Sequence, residues 1–274
     1  MKQYGRRRDE QRCYAGPSRR VRSCLWIHLT FAIAAVGFLI AQADASQATA
    51  YRETIPGTTV TFEMAPVPGT AFFIGRTEVT WDMYDTFALA DRAGGSSTGA
   101  DAVARPSSPY GAPDYGWGHA GFPVISVTRA AAEAFAKWLS QKTGRVYRLP
   151  TEAEWLEAAS LAFGSSQPAR DELAAFAWHR GNAEERTHAV ASKRADRLGL
   201  FDLFGNAAEW VTTPDGALVV RGGSFRDDPA GMGPSSRAVQ DASWNERDPQ
   251  LPKSRWWLSD GPFVGFRLVT ARTP

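Results

Sequence analysis

Cysteine is almost absent from this sequence. The 274-residue chain has two, Cys13 and Cys24, and both precede residue 45. Residues 46–274 therefore cannot form a disulfide, a thiolate metal site or a cysteine nucleophile. Histidine is scarce as well. The same segment has only His119, His179 and His188, and they lack the i, i+4 spacing of a common metal motif.

An excess of basic residues is missing from most of the chain. Residues 1–45 contain eight Lys and Arg against three Asp and Glu, which leaves 23 basic and 26 acidic residues, a net −3, in the other 229. This balance excludes the basic surface that nucleic-acid binding requires. With 43% hydrophobic and 22% charged residues overall, the composition is that of a globular protein, and 229 residues are enough for one large domain.

The N-terminal segment contains a long uncharged apolar run, Leu25–Ile40, which follows basic residues and precedes Ala43-Asp44-Ala45. A basic region, an apolar region and small residues around a cleavage point are the order of a signal peptide. The run has 16 residues, fewer than the roughly 20 of a membrane span. We therefore expect residues 1–45 to be a signal peptide cleaved after Ala45, and the protein to be exported to the periplasm or the cell exterior. The alternative is a retained membrane anchor formed by residues 25–40.

The rest of the sequence predicts an α+β protein with little regular structure. Residues 46–57 are interpreted as a polar lead-in. Helices are predicted after three threonine caps, and the apolar spacing gives each helix one buried face. The buried face is predicted to consist of Ala131, Ala134, Phe135, Trp138 and Leu139 in the second helix, and of Trp155, Ala158, Ala159 and Ala162 in the third. The predicted helices follow Thr80, Thr128 (to Gln141, ended by Gly144) and Thr151, whose partner Glu154 completes a capping box. Short strands are predicted at Val60–Met64, Ala71–Ile74, His188–Ala191, Ala217–Arg221 and Val264–Val269. An edge strand or extended segment is predicted at Arg145–Leu149. Residues 91–120 are interpreted as a long surface loop that contains Tyr110, Tyr115 and Trp117.

Six short segments in a fixed order carry a family resemblance. They are Thr77-Glu78-Val79-Thr80, Pro123-Val124-Ile125-Ser126-Val127, Arg148-Leu149-Pro150-Thr151-Glu152-Ala153-Glu154-Trp155, the segment from Gly199 to Trp210, Arg221-Gly222-Gly223-Ser224-Phe225, and Gly265-Phe266-Arg267. Together they resemble the sulfatase-modifying factor family, the formylglycine-generating-enzyme-like domain, over residues 58–271. The resemblance implies the C-type-lectin-like α+β fold of that family.

The resemblance also implies a copper site that this sequence lacks. Founding members of the family oxidise a sulfatase cysteine with oxygen and a copper ion held by two cysteines, which follow the serine of the Gly-Gly-Ser motif by three and eight residues. The matching positions around Ser224 are Asp227 and Met232. A carboxylate is a hard ligand and a thioether a weak one, so we do not expect copper here. Nor do we expect iron, because the family's iron histidines come from an additional domain. Asp227 and Met232 remain a conceivable different ligand set, with a simple turn at Asp227-Asp228-Pro229 as the alternative.

Calcium is the cofactor that the resemblance favours. It implies that the side chains of Asp202 and Glu209 and the backbone carbonyls of Gly205 and Ala207 hold the ion. Oxygen ligands converging from a glycine-containing loop suit Ca²⁺. The alternative is a solvent-facing Asp202 and a Glu209 paired with an arginine.

The C-terminal loops supply candidate ligand-binding residues. Trp244, Arg247, Trp256 and Trp257 belong to the residue types that dominate binding surfaces. The alternative is that they pin irregular loops to the core, a role also expected of Arg237 and Arg267. We expect an exported binding or accessory module for an unidentified protein or small molecule. An oxidase of the formylglycine-generating or iron type and a lectin-like binding protein are the alternatives.

Overall fold

The computed structural model describes residues 48–89, 106, 111–164 and 169–272, all within the unit Gln47–Pro274. The helices in this part are α1 (Trp81–Ala88), α2 (Arg129–Thr143), α3 (Glu152–Phe163) and the short α4 (Arg170–Leu173). The strands are β1 (Tyr51–Thr54), β2 (Thr61–Pro66), β3 (Phe72–Gly75), β4 (Tyr147–Arg148), β5 (Ala208–Val211), β6 (Val219–Arg221), β7 (Arg237–Val239), β8 (Val264–Gly265) and β9 (Val269–Ala271). The predicted export segment and Tyr110 lie outside the described residues.

The strands form two separate small sheets. The first has the order β1-β2-β3-β9-β4 and is antiparallel throughout. The second has the order β7-β6-β5-β8, in which only the β5–β8 pairing is parallel. The predicted strand Val264–Val269 is thus two strands in two sheets, because Phe266, Arg267 and Leu268 between them leave one sheet and enter the other.

Helices α1, α2 and α3 begin at the predicted caps, α2 runs two residues beyond the predicted Gln141, and α4 was not predicted. The side chain of Thr80 accepts a hydrogen bond from the backbone N–H of Met83, and Thr128 accepts one from Ala131. Gly144 ends α2 in the left-handed conformation with φ 74°. The capping box is complete, since Thr151 accepts from the N–H of Glu154 at 3.1 Å while the Glu154 carboxylate accepts from the N–H of Thr151 at 2.9 Å. These contacts satisfy amides that a helix terminus leaves unpaired.

The predicted buried faces are largely confirmed. Helix α3 buries the four predicted residues, Trp155, Ala158, Ala159 and Ala162. Helix α2 buries Ala131, Phe135 and Leu139 as predicted, together with Ala132 and Ala136, whereas the predicted Ala134 and Trp138 are half-buried at the edge of the core. The apolar stripe of α2 is therefore turned by about one residue toward Ala132 and Ala136.

Three segments differ from the sequence-based expectations. The lead-in, residues 46–57, contains β1, whose Tyr51 pairs with Met64. The loop proposed to hold calcium runs directly into β5, whose four residues are all buried and so lack the alternating pattern of a half-exposed strand. The predicted strand His188–Ala191 is not formed: Ala191 has φ 57°, and its N–H donates to the Asp202 carboxylate at 2.8 Å instead of to a strand. Among the described residues, no helix is both long and apolar enough to cross a bilayer.

Candidate functional site

The Gly-Gly-Ser motif forms a tight turn directly after β6. Gly222 and Gly223 have φ values of 92° and 71°, and a Cβ on Gly222 would lie 2.7 Å from the carbonyl oxygen of Leu203. Only glycine fits this backbone beside another chain segment. The turn places Ser224, fully buried, at the base of a surface groove.

The two positions that match the copper cysteines are already engaged. The Asp227 carboxylate accepts hydrogen bonds from the N–H of Ser224 at 2.7 Å and from its hydroxyl at 2.9 Å. Asp228 caps a 3₁₀ turn over Pro229–Gly231 and accepts from Ala230. Met232 is fully buried within the apolar cluster that contains Trp155 and Phe204. The structure thus forms the turn given as the alternative, and it uses Met232 as a core side chain.

The groove beside this turn is open and polar, with a volume of about 970 Å³. The predicted residues Trp244 and Arg247 line it, with the arginines Arg180, Arg226 and Arg237 and the acids Asp227, Asp228 and Asp260. Arg247 is ion-paired with Asp260. Partial burial of Asp260 opposes ionisation, but hydrogen bonds from Ser259 and Arg247 outweigh it and lower the pKa of Asp260 to about 2. This end of the groove therefore has a fixed charge pair at neutral pH.

Two arginines of the groove have no acidic partner among the described residues. Arg180 uses its Nε to donate to the carbonyl of Arg226 at 2.9 Å, and the Arg226 guanidinium lies 4.6 Å from the centre of the Phe263 ring. By contrast, Arg237 donates to Glu152, which also accepts from Arg221. Arg237 is thus part of a structural ion-pair network, as expected, whereas Arg180 and Arg226 present positive charge to the groove.

Trp256 and Trp257 lie in the core and do not line this groove. They are 2% and 9% exposed, respectively. Trp256 packs against Phe87, and Trp257 stacks on Trp81 with the ring centres 6.3 Å apart. The burial of their large apolar rings fixes the irregular C-terminal segment, which is the structural role that the sequence left open.

A second polar centre is buried beneath the loop that was predicted to hold calcium. Glu209 and Arg267 are both essentially inaccessible and form an ion pair of 2.6 Å. The other oxygen of Glu209 accepts from the indole N–H of Trp155 at 2.8 Å. Arg267 also donates to the carbonyls of Gly75 at 2.8 Å and Phe201 at 2.9 Å. Glu209 is therefore paired with an arginine, which is the alternative the sequence offered for it.

Two further carboxylates lie beside this ion pair, and sequence reasoning missed one of them. Glu78 and Asp202 are buried, and Oε2 of Glu78 and Oδ1 of Asp202 have no hydrogen-bond partner among the described residues. Burial, and then the charge of Asp202, raises the pKa of Glu78 well above its usual value. Burial raises the pKa of Asp202 to about 6. The only sequence signal for Glu78 is that it is the acid of the Thr-Glu-Val-Thr motif.

The charge balance of this centre suits a divalent cation. With Glu78, Asp202 and Glu209 ionised, the three carboxylates exceed the charge of Arg267 by two, and Lys193, whose charge also acts on Asp202, offsets part of that excess. Unpaired charge in the protein interior is costly, so it is neutralised by protons or by a counter-ion. No group of three or more acidic, His or Cys side chains in the described part of the chain converges as a metal site. Calcium here would thus depend on the two unpartnered oxygens together with backbone carbonyls.

The three histidines are held by separate local contacts. His119 bridges Asp85 and Asp114, with nitrogen–oxygen distances of 2.8 and 2.9 Å. His188 stacks on Trp178 with the ring centres 3.7 Å apart. Nδ1 of His179 accepts from the N–H of Gly181 at 3.0 Å.

Comparison with known proteins assigns the family. The model of the sulfatase-modifying factor enzyme 1-like domain matches residues 41–272. The chain belongs to this family. Membership agrees with the Gly-Gly-Ser turn and with the Arg267–Glu209 pair, which joins two of the segments on which the resemblance rests.

Curated relatives match over part of their length. The formylglycine-generating enzyme of Mycobacterium tuberculosis is 37% identical over 109 residues, which cover 34% of this chain and 34% of that enzyme. The inactive C-alpha-formylglycine-generating enzyme 2 of Bos taurus is 33% identical over 124 residues, 39% of each protein. The chain thus spans about a third of the length of each of these two relatives.

A solved structure supports the architecture. Treponema denticola variable protein 1 superposes with a TM-score of 0.58 at 21% identity, covering 82% of this chain and all of that one. The fold of this sulfatase-modifying-factor-like domain is accordingly α+β and C-type-lectin-like, with one antiparallel sheet, one mixed sheet and few helices, as the resemblance implied.

Proposed function

We propose that this member of the sulfatase-modifying factor family is an exported binding module that does not make formylglycine. The observation that carries the proposal is the arrangement around Ser224. Asp227, at one copper-ligand position, is bound by Ser224, and Met232, at the other, is buried in the apolar core. Copper-dependent oxidation needs soft, charged ligands that can face both oxygen and a substrate thiol. A relative whose name describes it as inactive supports this assignment.

The groove suits a ligand that carries a carboxylate or a similar oxyanion. Arg180 and Arg226 lie on it without an acidic partner among the described residues, and the Phe263 ring holds the guanidinium of Arg226 in place. Arginine binds planar oxyanions with two parallel hydrogen bonds. Trp244 and Phe263, whose ring centres are 5.0 Å apart, offer apolar contact beside that charge. An acidic peptide segment combines both requirements.

A calcium ion is proposed as the structural cofactor of the loop after Phe201. Asp202 would provide Oδ1, Glu78 would provide Oε2, and the carbonyls of Gly205 and Ala207 would complete the set as the family resemblance implies. Glu209 would not be a ligand, because its carboxylate is paired with Arg267. The ion would supply positive charge where carboxylates are in excess, and it would stabilise the native state by mass action.

The proposal that the protein is exported depends on the basic, apolar and small-residue order of the N-terminal segment. If Leu25–Ile40 directs translocation and cleavage follows Ala45, the mature protein from its native host begins near Ser46 on N-terminal sequencing. Soluble cytoplasmic protein that begins at Met1 would contradict this part of the proposal. A membrane-bound protein that retains residues 25–40 would identify the anchor instead.

The catalytic part of the proposal is tested by mass spectrometry. The purified protein is incubated with a sulfatase-type cysteine peptide, copper and a reductant, and the thiol-to-aldehyde change is measured against a control without protein. We expect no conversion above that control. Catalytic turnover would overturn the proposal.

The binding part is tested by calorimetry with tetraglutamate and, as the uncharged control, tetraglutamine. We expect only tetraglutamate to bind. Arg226→Gln and Arg180→Gln should each weaken binding at least about tenfold, because each removes a charged hydrogen-bond donor. Arg52→Gln is the matched control, since Arg52 is exposed and already paired with Glu63 away from the groove. Equal affinity of both peptides, or equal losses in all three variants, would refute the assignment.

A further inference from the structure

A second, smaller cavity lies between the segment that begins at Gly111 and the C-terminal loop of residues 245–259. Its volume is about 310 Å³. The aromatic rings of Tyr115 and Trp257 and the apolar side chains of Pro113 and Leu258 line it. It adjoins the large groove only through Arg247, which lines both. Neither the family's copper positions nor the buried carboxylate centre belongs to it.

Ser126 is the unusual residue of this cavity. Its backbone has φ 61°, in the left-handed region that serine seldom adopts. Its side chain is buried, and Oγ has no hydrogen-bond partner among the described residues. The conformation is imposed from both sides, because the carbonyl of Ser126 accepts from the N–H of Leu258 at 2.7 Å and Val127 bridges to Trp257. A strained residue with an unmatched polar atom on a cavity wall is a feature that functional sites commonly show.

The other polar groups of the wall are matched to one another. The Asp248 carboxylate accepts from the N–H groups of Gln250 at 2.9 Å and Ser254 at 2.6 Å. Asn245 donates to Asp248 at 3.3 Å and accepts from the N–H of Ser259 at 2.9 Å. These groups shape the wall and have their hydrogen bonds within it. An anionic ligand would find no counter-charge among the lining residues besides Arg247, which already pairs with Asp260, and the Asp248 carboxylate has its oxygens occupied by Asn245 and two backbone N–H groups.

We propose that this cavity binds a small, neutral aromatic molecule that carries one hydroxyl group. Its volume lies at the lower end of the range of small-molecule sites and is about twice that of an engineered apolar cavity of about 150 Å³ that holds benzene. The ring of the ligand contacts Tyr115 and Trp257, which favour edge-on or offset contact with another aromatic ring. Its hydroxyl exchanges a hydrogen bond with Oγ of Ser126. This inference is independent of the proposed function, because it uses no residue of the Ser224 turn.

The test uses p-cresol and toluene, which share a methylated ring and differ by one hydroxyl. Each is titrated into the ¹⁵N-labelled protein, and amide shifts are followed by NMR. We expect shifts at Tyr115, Ser126 and Leu258, and p-cresol binding about fivefold more tightly than toluene, which is the effect of one additional hydrogen bond. Ser126→Ala should bring the two affinities together, whereas Ser243→Ala, in a serine of the large groove, should leave the ratio unchanged.

A second variant keeps the test valid if the first does not fold. Alanine resists a positive φ as serine does, so Ser126→Gly is used if Ser126→Ala does not fold, since glycine removes the hydroxyl and adopts this backbone without strain. The same loss of discrimination is expected. Equal affinities of the two compounds for the unaltered protein, shifts confined to the large groove, or no shifts at millimolar concentration would each overturn the proposal.

Discussion

Replacement of Arg267 by methionine tests whether the buried ion pair organises the fold. Arg267 is fully buried and contacts three segments: Glu209 of β5 at 2.6 Å, the carbonyl of Gly75 at 2.8 Å and that of Phe201 at 2.9 Å. Methionine keeps the length of the side chain but has no donors. Glu209 would remain buried with only Trp155 as its donor. Loss of one partner of a buried pair costs about 3–5 kcal/mol. Each unpaired carbonyl adds roughly 1–3 kcal/mol.

The expected loss is therefore at least about 5 kcal/mol, a large part of the roughly 5–15 kcal/mol that stabilises a typical domain. For a domain of this size it lowers Tm by roughly 10–20 °C. Urea unfolding followed by tryptophan fluorescence gives the free energy of unfolding. Arg52→Met is the matched control, because Arg52 is 67% exposed and its partner Glu63 keeps Arg76; a change of less than about 1 kcal/mol is expected there. A loss for Arg267→Met as small as that of the control would refute the reasoning.

Three further results are expected. Without calcium, Tm should fall as pH rises through about 6, because burial raises the pKa of Asp202 to that value and ionisation then leaves an unpaired charge. Saturating calcium should remove this fall. Asp202→Asn should remove the calcium response and reduce the fall to the part that the raised pKa of Glu78 contributes. Partial burial opposes protonation of His119, but hydrogen bonds to Asp85 and Asp114 outweigh it and raise the pKa of His119. The difference in Tm between the unaltered protein and His119→Gln should therefore be largest below pH 6.5 and shrink as pH rises above that value. A difference that stays constant with pH would contradict this. Gly222→Ala should lower the free energy of unfolding by about 2 kcal/mol or more, because of backbone strain and a clash with the Leu203 carbonyl. Gly216→Ala, a site with a positive φ but open space around it, should lower it by only about 1 kcal/mol. Differential scanning calorimetry measures both changes.

Local signals made much of the regular structure predictable. The caps at Thr80, Thr128 and Thr151 act within three residues of each helix start, so the sequence contains the whole interaction. The buried face of α3 likewise follows from spacing along one helix. The strands were harder, because β5 is buried on both faces and β1 is an edge strand of four residues.

The candidate site was predictable in its parts but not in its pairings. The Gly-Gly-Ser motif marks the turn, and the absence of cysteine excludes a thiolate site from sequence alone. The partner of Glu209 could not be assigned, because Arg267 lies 58 positions away and several arginines compete for it. Glu78 was missed since its burial depends on packing against Asp202 and Ala207, which are distant in sequence. Trp256 and Trp257 lie in the core and Trp244 lines the groove, a difference that depends only on their tertiary environment. Residue type alone therefore could not show which of these tryptophans lines the groove.

The position of β8 and β9 has a consequence for how the chain folds during synthesis. Residues 264–271 provide an edge strand of one sheet and an inner strand of the other, and Arg267 between them bonds to Gly75 across 192 positions. In a chain made from its N-terminus, β3 can pair with β2 and β5 with β6, but the other edge of each strand stays unpaired until almost the whole domain has left the ribosome. Neither sheet can close early. Until those final strands are made, the open edges of β3 and β5 are available for pairing with another chain.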